Sequence, residues 1–367
     1  MTPLEVNAHM HTAYSFSAFS SVSQALDMAA EEGVKVVGIN DFYSLDGYEE
    51  WARECDKRHL FPLFNVEFIA LNSEDQAGNI RVNDPNNPGR TYLSGKGLAY
   101  PTILSGEEAR LFASLKAESN LQSEKICAKL NEHLDKVQAG FSISYTRVRD
   151  TLTKGAVRER HLAKALRLAV DEHCSAMGAK YEMYERIFSG RPPKSELSDI
   201  ASLENEIRGK LLKAGGAAFV PEDPRAFLPM NVVQGIIEAA GGISTYPFLA
   251  DDAKGNFTDF EADLQKCADT LKARGINSAE FITTRNTTKV LEDYASYLED
   301  EGFIVCFGSE HNTPLLEPVK LRTRDSAELS EKLKEINWRG ACAIAAHQRG
   351  LSSVEEGAEA IYKTVQI

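Results

Sequence analysis

The sequence lacks paired cysteines and long apolar runs. Its six cysteines show no C-x-x-C spacing, so we expect neither a disulfide framework nor a cysteine-based zinc site. No window approaches about eighteen uninterrupted apolar residues, and the first residues form neither a basic stretch nor a long apolar one. These absences argue against secretion and membrane spanning, and they favour a protein of the reducing cytoplasm.

Positive charge is also scarce. The chain carries 41 Lys and Arg against 54 Asp and Glu, a formal net charge of −13, and no dense basic run. An extended polyanion would be repelled, so we expect no nucleic-acid partner and no membrane partner. A small anionic substrate is compatible with this charge, because a metal ion and an arginine in a cleft create their own positive potential. No feature points to a particular oligomeric state.

The order of apolar patterns predicts an α/β protein. Within 367 residues, strand-like and helix-like segments alternate over 1–105 and again over 217–367, which is typical of βα units in a mostly parallel sheet, open or closed into a barrel. Residues 106–216 read as an inserted helical module. Residues 72–101 are rich in Asn, Gly, Pro and Asp, and we predict a long functional or mobile loop there.

Two histidines end the first apolar run. Residues two apart in a strand point the same way, so His9 and His11 can converge on one cation. The ends of three later strands also supply acids or an imidazole, at the edge where α/β barrels hold their ligands. These residues are Asp41, Glu67, Glu310 and His311.

The order of these motifs resembles the polymerase and histidinol phosphatase (PHP) superfamily over roughly residues 4–315. The segment from Arg160 to Leu166 is similar to one in the branch of nucleoside- and nucleotide-phosphate phosphoesterases, and the run from Ala239 to Ile243 matches the stretch before that branch's third motif. The resemblance implies a distorted (β/α)7 barrel of the PHP type, with an inserted helical module and a site of two or three metals for phosphoester hydrolysis.

The resemblance also implies a ligand set, which this chain retains only in part. The retained positions are His9, His11, Glu67 and Glu310, with His311 able to substitute for a missing imidazole. Usual ligand positions are replaced by Phe16, Phe42, Tyr246 and Asn312, and no histidine stands near Ile80 and Arg81. We therefore expect one divalent metal, Zn²⁺, Mn²⁺ or Fe²⁺, rather than three.

Other residues have candidate roles beside ordinary structural ones. Asp41 and His161 are candidates for handling the leaving-group proton, although Asp41 could simply hydrogen-bond the next turn and His161 could lie on a helix surface. Substrate contacts are expected from three arginines that could equally form surface ion pairs, from a tyrosine that could merely fill space, and from an asparagine. They are Arg81, Arg90, Arg285, Tyr246 and Asn312.

The function expected from these residues is that of a metal-dependent hydrolase. Its most direct form is a phosphoric monoester hydrolase that attacks a small phosphorylated metabolite with a metal-bound hydroxide. Two alternatives stay open. The barrel could run a different reaction, as a sugar-acid isomerase or a C–N hydrolase, or it could bind a metabolite without turnover.

Overall fold

Strands and helices alternate along the computed structural model, which describes residues 1–366. The strands are β1 (Glu5–Met10), β2 (Val34–Phe42), β3 (Phe61–Leu71), β4 (Arg90–Lys96), β5 (Leu228–Pro229), β6 (Ile243–Phe248), β7 (Ser278–Ile282) and β8 (Ile304–Gly308). The helices are α1 (Val22–Glu31), α2 (Tyr48–Asp56), α3 (Ser73–Ala77), α4 (Gly106–Lys136), α5 (Tyr145–Leu152), α6 (Glu159–His173), α7 (Met177–Ile187), α8 (Ile200–Ile207), α9 (Met230–Ala239), α10 (Leu264–Ala273), α11 (Thr288–Asp300), α12 (Glu331–Gln348) and α13 (Val354–Val365).

Seven strands form a nearly closed barrel in the order β1-β2-β3-β4-β6-β7-β8, and the short β5 pairs with β3. Beyond β8 the chain bonds back to β1: His11 N donates to Glu310 O at 2.8 Å and Glu310 N donates to His9 O at 3.0 Å. Gly308 permits this approach, because a Cβ on it would collide with the Cβ of His9. The predicted seven-stranded α/β barrel is confirmed.

The strand β4 corrects the prediction of a long loop over residues 72–101. It runs antiparallel to both β3 and β6, whereas the β1-β2-β3 and β6-β7-β8 pairs are parallel. Its sequence reads as polar because Ser94 and Lys96 point into the barrel and contact Glu280 there. A strand whose inward side chains form hydrogen bonds and ion pairs shows no apolar alternation, so the periodicity argument missed it.

Two large apolar cores stabilise the chain. One joins the barrel to its surrounding helices, and another belongs wholly to residues 126–218, with Leu130, Leu162 and Leu166 fully buried in it. The long helix α4 serves both, since Leu115 packs into the barrel core and Leu130 into the second core. A smaller cluster packs α12 and α13 against β1, β2 and β3. Within residues 1–366, no helix combines the length and the apolar character that a membrane crossing requires.

Candidate metal centre

Three buried side chains meet where β1 and β3 reach the rim of the barrel. The Nε2 atoms of His9 and His11 are 3.2 Å apart, and His11 Nε2 lies 3.4 Å from Glu67 Oε2. One ligand atom from each of the three residues lies within 4.8 Å of the others. His9 and His11 share a face because they are two residues apart in extended chain, and Glu67 reaches them from a strand two places along the sheet.

Hydrogen bonds on the far side of each ring determine which nitrogen carries the proton. His9 Nδ1 donates to Glu280 Oε2 at 2.9 Å. Ser15 gives its hydroxyl proton to Asp41 at 2.6 Å and therefore accepts from His11 Nδ1 at 3.0 Å. With Nδ1 as the donor in each ring, the two Nε2 atoms carry the lone pairs and face each other 3.2 Å apart, where a cation could bind both, and the amide nitrogen of Asn40 lies 3.0 Å from that of His9.

The donor set fits one divalent metal ion. Two nitrogens bound to one zinc ion at about 2.0–2.1 Å in tetrahedral geometry lie about 3.3 Å apart, close to the 3.2 Å between the two Nε2 atoms. Two imidazoles and a carboxylate are ligands that Zn²⁺, Mn²⁺ and Fe²⁺ accept, and three protein ligands leave a position open for water or substrate. The outward hydrogen bonds of the two rings are those that ligating histidines usually make.

The electrostatics of the cluster also favour a cation. Burial by itself lowers the pKa of His11, but the hydrogen bond and charge of Glu67, with the charges of Asp41 and Glu310, raise it above its ordinary value. Burial by itself raises the pKa of Glu67, yet its contacts with His11 and the nearby His9 lower it overall. The site therefore holds a carboxylate charge that attracts a proton or a metal ion.

The carboxylate of Asp41 is fully engaged by its neighbours. It accepts from Thr12 N at 2.7 Å, from the Thr12 hydroxyl at 2.5 Å and from the Ser15 hydroxyl at 2.6 Å. Burial raises the pKa of Asp41, against the opposing effects of His11 and of these hydrogen bonds. Asp41 is therefore linked to the Nδ1 side of His11 by the Ser15 hydroxyl.

The predicted ligands Glu310 and His311 have other partners. Glu310 bonds to Arg285 Nη2 at 2.5 Å and is not in the three-residue ligand group found among the described residues. His311 Nδ1 pairs with Ser309 Oγ at 2.7 Å and its Nε2 with Glu317 O at 2.9 Å, so both ring nitrogens are occupied. Glu310 and His311 have φ values of 64° and 57°, in the left-handed region, as the chain turns away from the rim.

The aromatic residues at two lost ligand positions contact the helical module. Arg158 lies over the face of Phe42, 4.1 Å from the ring centroid, and the His161 ring meets Phe16 edge-on at 4.9 Å. His161 is buried, and its Nδ1 accepts from Arg158 N at 3.0 Å at the start of α6. Burial, with the charges of Lys164 and Arg158, lowers the pKa of His161 to about 3, so the ring is neutral.

The remaining predicted substrate residues lie in different surroundings. Arg81 forms an exposed ion pair with Asp259, and Arg90 pairs with Glu222 at 2.5 Å. Tyr246 is fully buried, and its hydroxyl donates to Glu261 at 2.8 Å. Asn312 is partly exposed, next to His311 in the loop after β8.

Three buried residues near His9 were missed by the sequence reasoning. Glu280 accepts from His9 Nδ1, Lys96 Nζ lies 2.5 Å from Glu280, and Asn40 Nδ2 lies 3.0 Å from His9 Nε2. The available signals were a glutamate in the middle of the apolar run Ser278–Ile282 and a lysine at the end of β4, because charges in such positions need partners.

Comparison with known proteins shows similarity in structure alone. No protein-family model and no curated protein sequence matches the chain. A solved structure described as a metal-dependent phosphoesterase of Bifidobacterium adolescentis matches with a TM-score of 0.58 at 15% identity, covering 92% of this chain and 96% of that one. An amidohydrolase from Chromobacterium violaceum, solved with bound sulfate and no metal, matches with a TM-score of 0.58 at 16% identity over 91% and 96% of the two chains. The likeness establishes the barrel fold along nearly the whole chain.

Proposed function

We propose that this protein is a hydrolase that uses one divalent metal ion, held by His9, His11 and Glu67, to cleave a small phosphorylated metabolite. The observation that carries the proposal is the close approach of the His9 and His11 Nε2 atoms, 3.2 Å apart, beside the buried carboxylate of Glu67. A divalent metal, when bound, supplies Lewis acidity and lowers the pKa of bound water. The description of one structural neighbour as a metal-dependent phosphoesterase supports this reaction class.

The chain's own residues would position the substrate. Arg285, on the turn after β7, is 44% exposed in its side chain and pairs with Glu310 next to the closing strand, so it can bind an anionic group at the rim. His161, neutral and with Nδ1 occupied, keeps Nε2–H as a hydrogen-bond donor. Asp41, bonded to Thr12 and Ser15, would orient His11 rather than transfer a proton.

One metal ion fits better than three. Phe16 and Phe42 are buried aromatic side chains and offer no ligand atom, and they contact His161 and Arg158 instead. A single metal lacks the two-metal clamp that stabilises both the attacking and the leaving oxygens. This keeps a C–N hydrolase as the second candidate, and the neighbour described as an amidohydrolase supports it.

Metal analysis and turnover test the proposal together. Purified protein should retain about one equivalent of transition metal, and His9→Ala should retain almost none, because two protein ligands bind much more weakly than three. His173→Ala, at the exposed end of α6, is the matched control and should keep the metal.

Wild type, His9→Ala and His173→Ala should then be assayed with added Mn²⁺ or Zn²⁺ on panels of phosphomonoesters and of amides. Phosphate release by wild type and by His173→Ala, but not by His9→Ala, is the expected result. Turnover of amides alone would select the second candidate. Full phosphatase activity in His9→Ala would overturn the proposal.

A further inference from the structure

Lys96 is completely buried inside the barrel, and the proposed chemistry assigns it no role. Its Nζ lies 2.5 Å from Glu280 Oε2 and 3.2 Å from both Ala8 O and Asn40 Oδ1. A lysine without solvent contact is costly unless each of its protons finds a partner, and these three acceptors meet that need.

Two of these acceptors, Glu280 and Asn40, belong to side chains that contact His9. Glu280 Oε2 receives both Lys96 Nζ and His9 Nδ1, while the Ser94 hydroxyl donates to the other oxygen of the same carboxylate. The carboxylate is therefore held from both ends. A fixed carboxylate behind His9 keeps the proton on Nδ1 and the lone pair on Nε2, the atom that faces His11.

Asn40 is a second connection between Lys96 and the His9 ring. Lys96 donates to Asn40 Oδ1, which leaves the amide nitrogen of Asn40 turned toward His9, at 3.2 Å from Nδ1 and 3.0 Å from Nε2. One ammonium group thus orients both polar side chains that lie against this imidazole. His11 has a separate arrangement, in which Asp41 acts through Ser15.

We propose that Lys96 is a positioning residue for metal binding, which orients Glu280 and Asn40 and through them fixes the tautomer and the orientation of His9. The inference rests on the proposed metal site for its function. Its structural part, the state of the His9 ring, concerns the metal-free protein and can be measured separately.

The test compares Lys96→Met, which keeps an unbranched side chain one atom shorter and removes its charge, with Lys289→Met on the surface. Lys289 is a matched control because it too pairs with a carboxylate, that of Asp293 at 2.7 Å, but its side chain is 83% exposed. The first measurement is the protonation of the His9 ring nitrogens in the metal-free protein, by nitrogen-15 NMR of labelled histidine assigned with His9→Ala. The second is the affinity for Zn²⁺ by chelator competition, with the visible spectrum of the Co²⁺-loaded protein as a report on ligand geometry.

Wild type and Lys289→Met should show a single Nδ1–H tautomer of His9. Lys96→Met should show a mixture of tautomers, a Zn²⁺ affinity about 10- to 100-fold lower and an altered Co²⁺ spectrum, which is the usual effect of removing a partner of a ligating histidine. If Lys96→Met does not fold, Lys96→Met with Glu280→Gln removes both charges of the pair, and its comparison with Glu280→Gln alone isolates the effect of Lys96.

An unchanged His9 tautomer together with wild-type Zn²⁺ affinity in the folded variant would overturn the role of Lys96. Failure of wild type itself to bind Zn²⁺ would instead count against the proposed function. In that case the NMR comparison alone decides whether Lys96 orients the ring.

Discussion

The rim of the barrel has two sides that differ in what their side chains do. On the polar side, the ligand atoms of His9, His11 and Glu67 lie close together. Hydrogen bonds to Glu280 and Ser15 hold the two imidazole rings in place. On the aromatic side, Phe16 and Phe42 pack against the start of α6. The difference shows that one part of a barrel rim can gather polar side chains while another part is filled by aromatic rings. Aromatic rings at these positions bury apolar area and attach a second set of helices to the barrel.

The aromatic side gives the largest expected effect on stability. We expect Phe42→Ala to lower the free energy of unfolding by about 3–5 kcal/mol, because it removes a buried ring and the face on which Arg158 lies. Urea unfolding measures this, with Phe257→Ala, which is 36% exposed, as the control that should cost much less. Zn²⁺ affinity should change little in either variant. A stable Phe42→Ala protein that has lost its metal would erase the distinction between the two sides.

His161 packs against Phe16 on the aromatic side, and the pH dependence of stability tests this packing. Its pKa in the folded protein is about 3, against about 6.5 in an unfolded chain, because burial and two nearby cations disfavour the charged ring. The unfolded state therefore binds more protons between these values, and the wild type loses stability as the pH falls through that window. The loss amounts to about 2 kcal/mol at pH 5.

In His161→Asn the amide oxygen can still accept from Arg158 N, but nothing titrates, so this part of the acid sensitivity should disappear. Urea unfolding at pH 7 and pH 5 gives the measurement, and His59→Asn at an exposed position is the control. Equal acid sensitivity in wild type and His161→Asn would show that the ring is solvated rather than packed against Phe16.

The smallest expected effect on stability comes from Arg285, at the polar side. Its ion pair with Glu310 is partly exposed, so Arg285→Gln should change the free energy of unfolding by less than about 1 kcal/mol. If Arg285 binds the substrate's anionic group, KM should rise while kcat changes little. Arg339→Gln, which breaks an exposed pair with Glu299, should alter neither constant. A fall in kcat with an unchanged KM would contradict a simple anchoring role.

Sequence reasoning succeeded where local periodicity and strand ends carry the information. The βα rhythm predicted a mostly parallel α/β sheet, the resemblance to the PHP superfamily predicted its closure into a barrel, and the spacing of His9 and His11 predicted that they share a face. It failed over β4, because Ser94 and Lys96 face inward yet are polar, and a hydrogen-bonded interior leaves no apolar alternation in the sequence. It left two roles open for Asp41, proton transfer and hydrogen bonding to a turn, because the contacts with Thr12 and Ser15 exist only in the folded chain.

The sequence by itself therefore determined the type of fold and placed two imidazoles on one face of the first strand, because both follow from the geometry of neighbouring residues. Tertiary structure decided the rest. His9 and Glu280 stand 271 residues apart and meet only when the barrel closes, and that closure gives His9 Nδ1 a carboxylate partner. Closure likewise brings Glu67 to the histidines and leaves Glu310 with Arg285. Contacts of this kind depend on angstrom-scale positions of several strands at once, which no local pattern encodes.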